Sequence, residues 1–280
     1  MSERRVEAGG LTFAVTDSGE GPAVLLLHGF PDSRHLWRHQ VGPLVDAGYR
    51  VIAPDLRGFG ESDKPDDVAA YGIRTLLGDV RGILDTLEVR DVHVVGHDWG
   101  AGLAWWVAEV MRERVQSLVA VSVGHGSAAA PRRQAELSWY MLWFLFPGVA
   151  ERELPADDWV FYRDWIWDGA TVDTDPDLAR QLADLSRPGA LTAALSWYRA
   201  NIDPARFVSR GRREGRQVSC PVMGVWGSDD PALGEEQMTG SAEFVSGPWR
   251  YERIEGVGHW VPVHAAERLT GLLLDFLPAP

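Results

Sequence analysis

At 280 residues, the chain has room for one α/β core carrying an insertion. A formal net charge of −13 argues against nucleic acid or an anionic membrane surface as a partner, because both need clustered Lys and Arg. The single cysteine, Cys220, excludes an intrachain disulfide, and its place before Pro221 and an apolar run reads as a buried structural thiol.

The first residues, Met-Ser-Glu-Arg-Arg, lead into no apolar stretch of the signal-peptide kind, so a cytoplasmic location is expected. Ala23–Leu27, Val51–Ala53, Val92–Val95 and Leu118–Val123 are apolar runs bounded by turn residues and read as buried strands. Between them, Ser33–Ala47, Ile73–Leu87 and Ala101–Arg114 carry helical periodicity. Strands alternating with helices predict a mostly parallel sheet covered on both faces. From about Ser127 to Arg216 there is no strand-like run, and helical, tryptophan-rich segments take over. Its most apolar stretch, Trp139 to Phe146, is too short to span a bilayer. Strand and helix signals resume at Val222–Trp226, Tyr251–Ile254 and His264–Phe276. The expected organisation is an α/β core of residues 1–126 and 217–280, with residues 127–216 as a helical cap. Arg210, Arg212, Arg213 and Arg216, set among two glycines, read as a solvated hinge at the return.

The strongest chemical signal is Gly96-His97-Asp98-Trp99-Gly100, directly after a strand and directly before a helix. This is a G-x-nucleophile-x-G elbow in its required context. The glycines permit a tight turn that pushes the central side chain above the sheet edge. Aspartate at the centre selects a reaction class. A carboxylate with a pKa of about 4 is already ionised at neutral pH. It suits displacement of a leaving group from saturated carbon, which leaves an alkyl ester on the enzyme. A base must then activate water to hydrolyse that ester. His259, in Gly256-Val-Gly-His-Trp260, is the base candidate, and the acid that orients it is sought in Gly227-Ser-Asp-Asp230. The order nucleophile, acid, histidine is the one the elbow requires. Chemistry alone does not separate Asp229 from Asp230; loop spacing favours Asp230 and leaves Asp229 as a turn cap. His28-Gly-Phe-Pro31 follows the first predicted strand, so the Phe30 amide and the Trp99 amide form a candidate oxyanion hole. His28 and His97 flank glycine turns and are expected to hold loops together; His35, His39 and His93 read as structural or exposed.

With these pieces in view, the chain resembles the α/β-hydrolase-fold family of epoxide hydrolases over nearly its whole length. The matching pieces are His28-Gly-Phe-Pro31, Asp55-Leu-Arg-Gly-Phe-Gly-Glu-Ser62, Gly96-His-Asp-Trp-Gly100 and Gly258-His-Trp260. The same pieces are similar to haloalkane dehalogenases. Those with a halide-binding asparagine resemble this loop except that Asn stands where Phe30 does here. Fluoroacetate dehalogenases differ by an arginine at the place of Trp99.

The leaving atom separates the two reactions. A halide leaves as a stable anion and needs only N–H donors. An opening epoxide leaves an alkoxide, which needs a proton donor such as a phenol with a pKa of about 10. Tyr140, seven residues before Pro147-Gly-Val-Ala-Glu151, and Tyr198, in Ser196-Trp-Tyr-Arg199, resemble in their settings the two cap tyrosines that polarise the oxirane oxygen in epoxide hydrolases. Tyr162 has no such match. The resemblance therefore implies attack by Asp98 while Tyr140 and Tyr198 hold the oxygen, then ester hydrolysis by His259 and Asp230. His28, Pro31, His125, Trp143 and Trp260 are expected to line a dry, aromatic-walled pocket for a small apolar epoxide, with water as co-substrate. No metal and no organic cofactor are expected. A dehalogenase, or a binding protein using the same pocket, are the alternatives. No segment marks an interface, which leaves monomer and homodimer open.

Overall fold

The computed structural model of the chain describes residues 2–129, 131–167, 173, 175–207 and 214–280. Its strands are β1 (Glu3–Ala8), β2 (Leu11–Ser18), β3 (Ala23–Leu27), β4 (Arg50–Pro54), β5 (Val92–His97), β6 (Val115–Val121), β7 (Val222–Gly227) and β8 (Trp249–Ile254). In the core the helices are α1 (Arg38–Asp46), α2 (Ile73–Thr86) and α3 (Trp99–Val110). Between β6 and β7 come α4 (Arg132–Leu137), α5 (Trp139–Phe144), α6 (Val149–Glu153), α7 (Ala156–Trp167), α8 (Pro176–Leu185) and α9 (Ala190–Asn201). The chain closes with α10 (Glu235–Gly240), α11 (Val261–His264) and α12 (Ala266–Phe276).

Among the described residues the strands form one sheet in the order β1-β2-β4-β3-β5-β6-β7-β8. Pairing is parallel from β4 onward, and antiparallel at β1–β2 and β2–β4. Every residue of β3, β5 and β7 is buried, as central strands covered on both faces must be. This is the α/β-hydrolase fold that the sequence led us to expect. The N-terminal hairpin is an addition to that expectation. Gly9 and Gly10 both take positive φ, +57° and +80°, and make the two-residue turn that joins β1 to β2. Three boundaries also move. The helix expected over 33–47 begins as a 3-10 turn at Arg34–Trp37 and continues as α1. Helix α3 starts at Trp99 rather than Ala101. Strand β6 ends at Val121, because Ser122 takes a φ of 70° and leaves the sheet.

The segment Asp55–Ser62 fastens the core. Asp55 accepts from the Arg34 and Glu61 amides at 2.7 and 2.9 Å, and Arg57 makes a buried, two-pronged ion pair with Asp79 of α2 at 2.5 and 2.7 Å. The Arg57 carbonyl then accepts the Trp197 indole N–H of α9 at 2.9 Å. Asn201 adds bonds to the Tyr71 carbonyl and the Ile73 amide, so α9 is tied to the core by directional contacts. The inserted helices thereby sit over the carboxyl ends of β3 and β5. Cys220 is half-buried, and burial pushes its thiol up to about 11. Arg216 is exposed, while Arg210, Arg212 and Arg213 lie outside the described residues. Among the described residues no helix is long and apolar enough to cross a membrane.

Candidate active site

Asp98 is the residue on which β5 ends and α3 begins. Its backbone takes φ 53° and ψ −123°, a conformation L-residues rarely adopt and one that costs about 1–3 kcal/mol. The flanking glycines make it possible. A Cβ on Gly96 would collide with the Gly100 backbone, and one on Gly100 with the carbonyls of Leu27 and His28. The strand–turn–helix therefore closes against β3 only with glycine at both places.

The turn brings Asp98 to the two amides expected of it. Its Oδ1 accepts the Phe30 N–H at 2.8 Å, and the Trp99 amide also hydrogen-bonds the carboxylate. Oδ2 lies on the other side, 3.7 Å from His259 Nε2. His259 Nδ1 is 2.8 Å from Asp230 Oδ2, and Asp230 Oδ1 accepts the Ala232 and Leu233 amides at 2.9 and 3.0 Å. Asp229 is exposed and accepts the Ser228 hydroxyl. Of the two acids left open by the sequence, Asp230 is the one turned inward to the imidazole. The His259 carbonyl accepts from His97 Nε2 at 2.9 Å and from the Ser122 hydroxyl at 3.2 Å, which pins the loop. Because a carbonyl only accepts, His97 carries its proton on Nε2.

These groups set one another's charge. Burial pushes the Asp98 carboxyl above the usual carboxylate value, against the pull of His259 and the two amides. Burial alone would strip the proton from His259, yet the Asp230 carboxylate and its hydrogen bond, with Asp98 and Asp32 beyond, raise it to about 9. The His259 imidazole thus keeps its proton near neutrality, facing the Asp98 carboxylate.

Above Asp98 stand aromatic rings from α5, α7 and α9. Tyr198 meets Trp99 edge-on at 5.1 Å and Phe30 at 5.6 Å, and its ring centroid is 6.2 Å from that of Tyr140. Burial, reinforced for each by the Asp98 charge, holds both phenols well above their ordinary pKa, so both carry their protons. Phe144 fills the space between them and Phe30, with Trp165 behind. The sequence reading passed over Phe144, although it lies four residues from Tyr140 and on the same helix face.

The five pocket residues named from sequence divide. Pro31 is buried beside Phe30, joined to it by a cis peptide bond. Trp260 backs the site: its indole donates to Asp32 Oδ2 at 3.0 Å and its ring stacks on Trp167 at 5.1 Å. His28 is a fastener, donating from Nδ1 to the Gly29 carbonyl and accepting the Leu56 amide on Nε2. Two assignments are corrected. Trp143 lies on the outer face of α5, against Trp139 and Phe161, which are 46% and 41% exposed. His125 is held away from the pocket, bonded to Glu109 at 2.7 Å and stacked on Phe244.

Asp32, which the sequence reading did not single out, is a buried carboxylate behind His259. It accepts the Trp260 indole and the Gln181 amide, and Gln181 in turn accepts the Tyr162 hydroxyl and the Trp167 indole. Burial pushes Asp32 up to about 7 against those two donors. Its charge favours the protonated form of His259, whereas an imidazole acting as a base must be neutral. Asp32→Asn is therefore expected to move the acid limb of the kcat–pH profile to lower pH. A limb that stays in place in a folded variant would show that Asp32 has no electrostatic hold on His259.

Comparison with known proteins agrees with the fold. A family model described as alpha/beta hydrolase fold matches residues 22–265. Epoxide hydrolase A of Mycobacterium tuberculosis is 34% identical, over 99% of this chain and 97% of its own length. An AB hydrolase superfamily protein of Bacillus subtilis is 32% identical, over 97% and 96%. Among solved structures, an epoxide hydrolase from metagenomes of hot environments superposes with a TM-score of 0.87 at 30% identity, over 100% of this chain and 99% of that one. Epoxide hydrolase A from Mycobacterium thermoresistibile does so with a TM-score of 0.81 at 30% identity, over 99% and 98%. The chain belongs to the α/β-hydrolase-fold family, in its epoxide hydrolase group.

Proposed function

We propose that the chain opens an apolar epoxide to a vicinal diol through an ester on Asp98. The reading rests above all on two buried, protonated tyrosines from different helices that face each other over the Asp98 carboxylate. Residues 127–216 act as the cap that carries them, over a core of 1–126 and 217–280.

In the first step Oδ2 attacks an oxirane carbon while Tyr140 and Tyr198 hydrogen-bond the oxygen. The carbon–oxygen bond breaks, and one phenol gives its proton to the departing alkoxide. Oδ1 stays on the Phe30 and Trp99 amides. Esterification removes the Asp98 charge, one of the charges that holds the His259 proton, so the imidazole gives up that proton more readily and is neutral at the moment a base is needed. Water deprotonated by His259 attacks the carboxyl carbon, and the oxyanion forms on the oxygen already held by two amides. Collapse breaks the ester bond as His259 returns its proton to the departing oxygen, which releases the diol with the former Oδ2. The proton left on the Asp98 carboxyl is lost through solvent, which restores the tyrosine. The aromatic walls exclude water from the first step and favour apolar, aryl-bearing substrates.

The test is Tyr140→Phe together with Tyr198→Phe, assayed on an aryl epoxide and a matched alkyl bromide. Diol formation is expected to fall by about 1,000-fold or more, the range of a lost general acid. Retained turnover of the bromide with no loss on substitution would assign the site to dehalogenation.

A further inference from the structure

Tyr140 and Tyr198 sit on different helices, so their spacing depends on what holds α5 to α9. Helix α9 is anchored to the core through Trp197 and Asn201. At the near end of α5, Gln134 of α4 bonds the Ala232 carbonyl and the Gly234 amide. At its far end the packing is aromatic, which gives cohesion without fixing direction. Among the described residues one polar group reaches across there. Arg199, next in sequence to Tyr198, donates from Nε to the Phe144 carbonyl at 3.0 Å and, more weakly, from Nη2 to the Phe146 carbonyl at 3.5 Å. Its two terminal nitrogens meet both oxygens of Glu151 at 2.6 and 2.9 Å. Glu151 also accepts the Gly148 amide at 3.0 Å, which closes the turn after α5. Only 7% of the Arg199 side chain is exposed.

We infer that Arg199 and Glu151 are positioning residues that set the separation of the two phenols by locking the end of α5 to α9. A guanidinium facing a carboxylate in two parallel bonds fixes angle as well as distance. A cation at the carbonyl end of α5 is further favoured by the unsatisfied acceptors there. Burial opposes ionisation of Glu151, but its bonds to Arg199 keep its carboxyl below the usual value, so the pair is charged. Lysine keeps the charge but cannot span two carboxylate oxygens and a carbonyl at once. The inference rests on the reading of Tyr140 and Tyr198 as the groups that hold the oxirane oxygen.

That reading separates the half-reactions: alkylation of Asp98 needs the phenols, and ester hydrolysis does not. Rapid-quench single turnovers of the full chain with styrene oxide measure both. Arg199→Lys and Glu151→Gln are each expected to slow alkylation by about 10- to 100-fold, the effect of misplacing a reacting group by about 1 Å, and to leave ester hydrolysis unchanged. The double variant Glu151→Leu with Arg199→Met leaves no stranded charge and is expected to keep its melting temperature, yet to remain slow in alkylation. If a single variant does not fold, the double variant decides. Alkylation at the unsubstituted rate in a folded variant, or equal slowing of both half-reactions, overturns the positioning role. A Tyr140→Phe, Tyr198→Phe protein that alkylates normally overturns the underlying reading. A slow Phe pair beside a fast Arg199→Lys overturns only the inference.

Discussion

Asp98→Asn is expected to lower diol formation by about 10,000-fold or more, the scale on which enzymes lose activity when a covalent nucleophile is removed. Asparagine keeps the shape, tolerates positive φ and can still accept the Phe30 amide, but its amide oxygen is no match for a carboxylate as a nucleophile. The same change is expected to raise the melting temperature at neutral pH. Burial holds the folded-state pKa of Asp98 above its unfolded value, so the folded chain binds this proton more tightly. The resulting stability is complete below the unfolded pKa of about 4 and is lost as pH rises through the folded value. At neutral pH the ionised carboxylate therefore costs stability, and Asn relieves that cost. Calorimetry beside a diol assay checks both parts. A variant that lost stability along with activity would indicate a structural carboxylate.

His259→Gln is expected to divide the reaction. Asp98 retains its charge and the phenols retain their protons, so the first equivalent of epoxide is consumed. Ester hydrolysis loses its base, and steady-state turnover falls by about 1,000-fold or more. The alkyl-enzyme should then persist and appear as substrate mass on the peptide carrying Asp98. Stability falls with rising pH as it does for Asp98, since both folded-state values are raised. At neutral pH the substitution acts in the opposite direction: Gln removes a stabilising charge, whereas Asp98→Asn removes a costly one. The folded pKa of His259 is about 9 against an ordinary 6.5. Its contribution is present below about pH 6.5 and lost as pH rises through 9, so the Gln variant's deficit should shrink across that window. Full turnover by the Gln variant would place the base elsewhere.

The turn that presents Asp98, the proposed nucleophile, was legible in the sequence because two glycines around an aspartate, between a strand and a helix, have a steric reason that survives without coordinates. The central strands were legible for a similar reason, since burial on both faces writes an unbroken apolar run. The β1–β2 hairpin was passed over because β1 is an edge strand that mixes charged and apolar residues, and β2, though largely buried between β1 and β4, interrupts its apolar run with Thr and Asp. Asp229 and Asp230 differ by one position, and only the direction in which each side chain leaves the loop separates them. The same kind of ambiguity produced the error at Trp143. Tyr140 and Phe144 share a helix face, while a neighbouring residue is turned by about 100° and points outward. Asp32 shows the remaining difficulty. A polar residue after Pro31 reads as an exposed loop position, and its burial depends on Gln181 and Trp260, which are distant in sequence.

The account turns on a covalent ester at Asp98, and one single turnover in H2(18)O with enzyme in excess over an aryl epoxide tests it most directly. It predicts a diol whose new oxygen is unlabelled, because that oxygen is the former Oδ2, together with one heavy oxygen in the Asp98 carboxylate. Label in the diol and none in Asp98 would mean that water attacks the epoxide directly, and would contradict the account.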